Sequence, residues 1–238
     1  MALDTIEALT FDVFGTVVDW RGSLVREVEA LGRRVGVAVD PDAFANAWRG
    51  LYQPSLSEIR EGRAPWARLH DLHRRSLDRL LPQFGLDFLD DAERAEFTLV
   101  WHRLDPWPDA VAGLHRLKRR FILATLSNGN IRLMVDMAKR AGLPWDAILG
   151  AEVAKAYKPQ PAAYLTTADL LCLPPGQCLM VATHYHDLVA AQREGFRTCY
   201  VWRRDEYGPR GKNDLPVEHG LDLVVEDFGE LADRLGCA

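Results

Sequence analysis

The sequence predicts an α/β fold: a parallel sheet with helices on both faces, interrupted after its first strand by a helical insertion. Three observations carry this reading. Short apolar runs alternate with amphipathic helical patterns through the C-terminal half. Those runs are apolar throughout rather than at alternate positions, as strands covered on both faces require. From about residue 21 to 104 the alternation stops and the pattern is almost wholly helical.

The elements follow in order. Leu9-Thr10-Phe11-Asp12 reads as the first strand. Leu24, Val28, Leu31 and Val35 then share one helical stripe, and Asp40-Pro41 reads as an N-cap with proline at the first helical position, opening a helix through Trp48. A further apolar pattern runs from Trp66 through Leu69, Leu72, Leu77 and Leu80-Leu81. The sheet resumes near Pro106-Trp107-Pro108, whose prolines suit a hinge or a helix start. The expected domains are therefore 1–20 with 105–238, and 21–104 as the insertion. Phe121–Leu126 reads as a strand, followed by a helix over 131–141 that Gly142 and Pro144 stop. A short run begins at Ile148, a helix spans Pro161–Leu171, a strand covers Cys178–Thr183, and a helix from Asp187 to Glu194 ends at Gly195. Thr198–Trp202 and Leu221–Val225 add two strands.

Composition narrows the function. The 238 residues carry 29 Lys plus Arg against 34 Asp plus Glu, a formal net charge of −5, with 48% hydrophobic and 26% charged residues. Extensive disorder is not expected, and mild acidity with interspersed signs argues against nucleic acid as a partner. Arg33-Arg34 and Lys118-Arg119-Arg120 are too short for a basic footprint and read as solvated helix faces. Cys172, Cys178, Cys199 and Cys237 show no Cys-x-x-Cys spacing, so zinc is not expected and buried free thiols are. Glu7 and Asp4 stand where a signal peptide needs positive charge, and no apolar run approaches the ~20 residues that span a bilayer. A soluble, cytoplasmic protein without a membrane partner is the expectation.

In an open α/β sheet, ligands sit outside the carboxyl ends of the strands. Four strand ends carry polar residues. Phe11-Asp12-Val13-Phe14-Gly15-Thr16 puts a carboxylate before a Gly-Thr turn; it reads equally as a turn or cap aspartate. Ser127-Asn128-Gly129-Asn130 offers donors near a helix N-terminus, where the same residues also suit capping. In Tyr157-Lys158-Pro159-Gln160-Pro161, Pro159 biases Lys158 away from helix. Ala182-Thr183-His184-Tyr185-His186-Asp187 has two histidines and an acid, but only alternate residues of an extended segment share a face, and no third anchor motif accompanies them.

In this order the four fragments resemble the four motifs of the haloacid dehalogenase superfamily, over roughly 5–20 and 106–228, and are most similar to its type II 2-haloacid dehalogenase branch. The resemblance implies a Rossmann-like sheet with a helical cap inserted after the first strand. It implies Asp12 as nucleophile, with Thr16, Ser127 and Lys158 holding it or the substrate carboxylate. It also implies Asp187 orienting Lys158 or helping activate water, and Tyr164 positioning the lysine or the substrate, unless Tyr164 is ordinary helix packing. Arg49, in Ala47-Trp48-Arg49, matches the cap arginine that cradles the halide, against a surface salt bridge as the alternative; Asn128 would complete that site. A homodimer is also implied, and no cofactor or metal.

Two departures matter. The superfamily's phosphatases have a second Asp two positions after the nucleophile, to protonate an alkoxide; here that position is Phe14. Halide is a weak base that leaves unprotonated, whereas a missing general acid costs ~10²–10⁴-fold where one is needed. Phe14 therefore favours a short haloacid as substrate over a phosphate ester. In the fourth motif His184 stands where many relatives of the branch have Asn, so it is expected to place the hydrolytic water or to donate to the halide. Bulky rings there would favour haloacetates, while His186 simply packs. Two alternatives remain open: a magnesium-dependent phosphatase using Asp12 and Asp187, and a non-catalytic binding module.

Overall fold

A computed structural model of the chain describes residues 3–208 and 220–237. Along the chain, β1 (Ala8–Phe11) is followed by a short β2 (Val18–Asp19). Five helices come next: α1 (Trp20–Val35), α2 (Pro41–Gly50), α3 (Tyr52–Arg60), α4 (Leu69–Leu80) and α5 (Asp91–Thr98). Then come β3 (Asp105–Pro106), α6 (Ala110–Lys118), β4 (Ile122–Ser127), α7 (Ile131–Ala141), β5 (Ala147–Gly150) and α8 (Ala151–Ala154). The chain continues with α9 (Pro161–Leu170), β6 (Cys178–Ala182), α10 (Tyr185–Arg193), β7 (Arg197–Val201), β8 (Leu223–Val225) and α11 (Phe228–Arg234).

The chain divides into two compact units, Trp20–Leu104 and the remainder. The sheet unit holds six parallel strands in the order β5-β4-β1-β6-β7-β8. This is a Rossmann-like α/β fold with helices on both sides of the sheet. All four residues of β1 and all five of β6 are buried, which explains their unbroken apolar character. Because the chain places β4 and β5 on one side of β1 before crossing to β6, the order reverses at β1. The carboxyl ends of β1, β4 and β6 therefore open together at the switch point. The ends of the inserted segment are joined within this unit, where β2 and β3 pair antiparallel, Val18 opposite Pro106 and Asp19 opposite Asp105.

In the helical unit, α1 buries Leu24, Val28 and Leu31. Asp40 caps α2, its carboxylate accepting from Ala43 N at 3.0 Å, with Pro41 in the first turn. The core contains Phe44 and Trp48, edge to face at 5.8 Å, with Trp48 stacked on Phe97. Trp20 belongs to this unit as the first residue of α1, one residue earlier than the sequence boundary placed it. Four helices were not delimited by the sequence reading: α8 and α11 of the sheet unit, and, inside the stretch expected to be helical, α3, whose Pro54 sits harmlessly in the first turn, and α5, polar on most faces but closed by a reciprocal cap between Asp90 and Glu93. Among the described residues no helix is long and apolar enough to cross a membrane. Cys178, Cys199 and Cys237 are buried free thiols; Cys172 is exposed, because it lies in the turn after α9 with a positive φ of 56°.

Candidate active site

Asp12 follows β1 directly, its backbone N–H bonded to the carbonyl of Val181 in β6. The residue is 6% exposed, and its carboxylate receives three donors. Lys158 Nζ lies 2.9 Å from Oδ1; Thr16 Oγ1 and His184 Nδ1 lie 2.9 and 3.1 Å from Oδ2. Burial alone would raise the Asp12 pKa, but the Lys158 charge and the His184 hydrogen bond outweigh it and hold the carboxyl well below the usual range. Thr16 Oγ1 in turn accepts from Thr183 N at 3.0 Å, which aims its own proton at Asp12. The turn that makes this possible needs Gly15, at φ 87°.

Lys158 bridges two carboxylates, with Asp187 Oδ2 at 2.5 Å, and Tyr164 donates to Asp187 Oδ1 at 2.6 Å. Burial opposes the Lys158 charge; Asp12 and Asp187 more than restore it and raise its pKa. The Tyr164 hydroxyl is pushed far upward by burial and by Asp187, so it remains a donor. Tyr164 is thus more than helix packing: the chain Tyr164–Asp187–Lys158–Asp12 is continuous, and all four side chains are buried. Asp187 does not cap α10; it is the third residue of the helix, and His184 holds the cap position.

At the end of β4, Ser127 Oγ accepts from Gly129 N, and Asn128 Oδ1 accepts from the Lys158 backbone N–H at 2.9 Å. Asn128 thereby fixes the loop that presents the lysine. Neither Ser127, Asn128 nor Asn130 caps α7 with its side chain; Glu152 does so, accepting from Ile131 N at 2.7 Å. The close pairing of β4 and β5 here depends on Gly150, at φ 120°, where a Cβ would lie 2.3 Å from the Ser127 carbonyl oxygen. Phe14 is buried beside the same turn, 3.2 Å from where a Cβ on Gly129 would stand.

His184 lies at the nucleophile's end of the sheet as expected of it, and the structure adds its partners: Nε2 lies 2.9 Å from Glu206 Oε1 while Nδ1 faces Asp12, so each ring nitrogen meets a carboxylate. Burial disfavours its charge, but Glu206 and the hydrogen bonds to both acids push its pKa up to about 10. Glu206, wholly buried, is the residue the sequence reading missed. Its neighbour His186 has a pKa lowered by burial and by His184.

In the helical unit, Arg49 lies over the ring of Tyr52 at 4.1 Å and over Trp20 at 5.3 Å, and its Nη1 is buried without a hydrogen-bond partner among the described residues. It is not a surface salt bridge. The magnesium alternative finds a poor ligand set, since the Lys158 ammonium already stands between Asp12 and Asp187. Among the described residues no group of three or more His, Cys, Asp or Glu could hold a metal ion.

A six-stranded parallel sheet whose switch point carries a buried aspartate, bridged by lysine to a second acid, defines a Rossmann-like α/β protein with a carboxylate-centred site. The chain matches the haloacid dehalogenase-like hydrolase family over residues 6–195, and it belongs to that family. The (S)-2-haloacid dehalogenase 1 of Pseudomonas sp. (strain CBS-3) is 30% identical over 228 residues, spanning 94% of this chain and 96% of its own. The crystal structure of an L-2-haloacid dehalogenase superposes with a TM-score of 0.93 at 45% identity, covering 98% of this chain and 100% of its own. That of a defluorinating L-2-haloacid dehalogenase gives 0.94 at 42% identity, covering 97% and 95%.

Proposed function

We propose that the protein hydrolyses a short 2-haloacid to the 2-hydroxy acid, without metal or cofactor, through an ester on Asp12. The observation that carries this is the setting of Asp12: a buried carboxyl group met by three donors, one of them the Lys158 ammonium, with no carboxylic acid at position 14 to protonate a leaving group. Such a group is a poor base but a positioned nucleophile. Asp12 attacks the halogen-bearing carbon from the side opposite the halogen; an O–C bond forms as the carbon–halogen bond breaks, and its electron pair leaves with the halogen as halide. Water then attacks the ester carbonyl and releases the hydroxy acid. Lys158 keeps Asp12 charged and Asp187, oriented by Tyr164, holds Lys158. Thr16 and Ser127 shape the nucleophile's surroundings.

Arg49 takes the halide. A buried guanidinium nitrogen with no acceptor among the described residues is costly unless a ligand supplies one, and Trp20 and Tyr52 hold that guanidinium against their ring faces. Asn128 and Phe14 border the reacting end of the sheet. The rings of His184, Tyr185 and His186 where many relatives have smaller residues favour haloacetates over longer acids, and likeness to a defluorinating dehalogenase extends the candidates to fluoroacetate.

The test is halide release from fluoro-, chloro- and bromoacetate and from 2-chloropropionate, with EDTA present. Chloride release from chloroacetate, abolished in Asp12→Ala, is the expected result. Activity that EDTA removes and magnesium restores would overturn the proposal, and a preference for 2-chloropropionate would overturn the haloacetate part. Turnover in ¹⁸O-water should leave label in Asp12, since the ester is cleaved at its carbonyl carbon.

A further inference from the structure

Resting on the ester mechanism above, we propose that Glu206 is a positioning residue: it holds His184 as an imidazolium aimed at Asp12 Oδ2, so that Oδ2 carries the negative charge when water attacks the ester.

The two oxygens of Asp12 are not equivalent. Oδ1 meets one donor, Lys158 Nζ, whereas Oδ2 meets two, Thr16 Oγ1 and His184 Nδ1. Oδ1 keeps more lone-pair density for attack, so it forms the bond to carbon as the carbon–halogen bond breaks and both its electrons leave with halide. Oδ2 becomes the carbonyl oxygen of the ester. When water adds to Cγ, the carbonyl π pair moves onto Oδ2, against donors already in place. Collapse restores the Cγ–Oδ2 double bond and breaks the Cγ–Oδ1 bond. Oδ1 leaves with the product and takes one proton from water; the second proton passes to solvent, and Asp12 is a carboxylate again. A preorganised donor of this kind is worth ~10²–10³ in rate.

The charge on His184 follows from geometry. Carboxylate oxygens only accept, and each ring nitrogen faces one, at 3.1 Å (Asp12) and 2.9 Å (Glu206). Both contacts are hydrogen bonds only when both nitrogens carry protons. Asp12 cannot sustain that state through the cycle, because esterification removes its charge before the second step begins. Glu206 keeps its own. Space for it comes from Gly15, where a Cβ would lie 2.1 Å from Glu206 Oε1. The other titratable groups about the ring are Lys158 and Asp187, which pair with each other, and His186, whose ring lies 5.8 Å away. Arg203, on the neighbouring Thr16 carbonyl, is engaged by Asp109.

The test compares wild type with Glu206→Gln on chloroacetate, following halide release, kcat against pH, and intact protein mass. In Glu206→Gln, a halide burst close to the wild-type rate precedes slow turnover, and the ester accumulates on the protein. The alkaline limb of kcat moves down by about one pH unit or more, so activity recovers on acidification. An unmoved limb, or a burst slowed as much as turnover, overturns the inference. Independently of any variant, ¹⁵N shifts of His184 in the wild type at pH 8 should show both nitrogens protonated; a neutral ring also overturns it. A wild type that neither releases halide nor forms an adduct removes the dehalogenation reading itself, which separates that failure from this one.

Discussion

The carboxyl end of the sheet and the last turn of α2 both take charged atoms out of water, and they do so in opposite ways. At the sheet, Asp12, Lys158, Asp187, His184 and Glu206 answer one another, so every charge that burial penalises has an opposite neighbour within about hydrogen-bond distance. In the helical unit, Arg49 rests on two aromatic faces and leaves one N–H unanswered. The first arrangement is self-sufficient and suits groups that must keep fixed protonation states through a reaction. The second leaves Nη1 without an acceptor among the described residues, which is the feature behind the proposed halide role of Arg49.

The sharpest test of this contrast is Asp12→Ala, which removes the proposed nucleophile and should lower halide release on the order of 10⁴-fold or more while leaving the protein folded. Lys158→Met comes next. It strands Asp12 and Asp187 side by side without their shared cation; turnover should fall by about 10³-fold and urea unfolding should show a loss of about 3–5 kcal/mol, the usual consequence of breaking a buried pair. Arg49→Ala should do the reverse. Its turnover falls by about 10²-fold and product inhibition by added chloride or bromide disappears, yet the unfolding midpoint scarcely moves, since Nη1 has no hydrogen-bond partner among the described residues. A large stability loss there would erase the distinction between the two regions.

The smallest effect is on stability against pH. Because His184 is raised from about 6.5 to about 10 on folding, its contribution is fully present below pH 6.5 and is lost as pH rises toward 10. The stability difference between wild type and His184→Asn, from urea midpoints at pH 6, 8 and 10, should therefore shrink with rising pH. A constant difference would mean the ring is not charged in the folded protein.

Much of this was readable in the chain. The unbroken apolar runs at Leu9–Phe11 and Cys178–Ala182 announced strands buried on both faces, and each polar residue that ends one of the strands β1, β4 or β6 now stands at the switch point. Asp40-Pro41 announced its helix because a cap is a local matter. What stayed hidden was non-local. Glu206 reaches His184 from a loop after β7, and no pattern within that loop marks it; the signal available was that it, too, follows an apolar strand, four residues beyond the run ending at Trp202. The role of Tyr164 was undecidable for the same reason, since its partner lies 23 residues away in another helix. Helix α5 was missed because its stability comes from the Asp90–Glu93 cap and a few buried residues such as Phe97 rather than from an apolar stripe.

The short β2–β3 ladder has a consequence of a different kind. By pairing Val18 with Pro106 and Asp19 with Asp105, it clasps the two stems of the intervening segment side by side. The span between them can then lengthen or shorten at a cost that grows only with the logarithm of its length, without disturbing strand register on either side. Such a clasp lets the segment between its stems vary while the six-stranded sheet keeps its register.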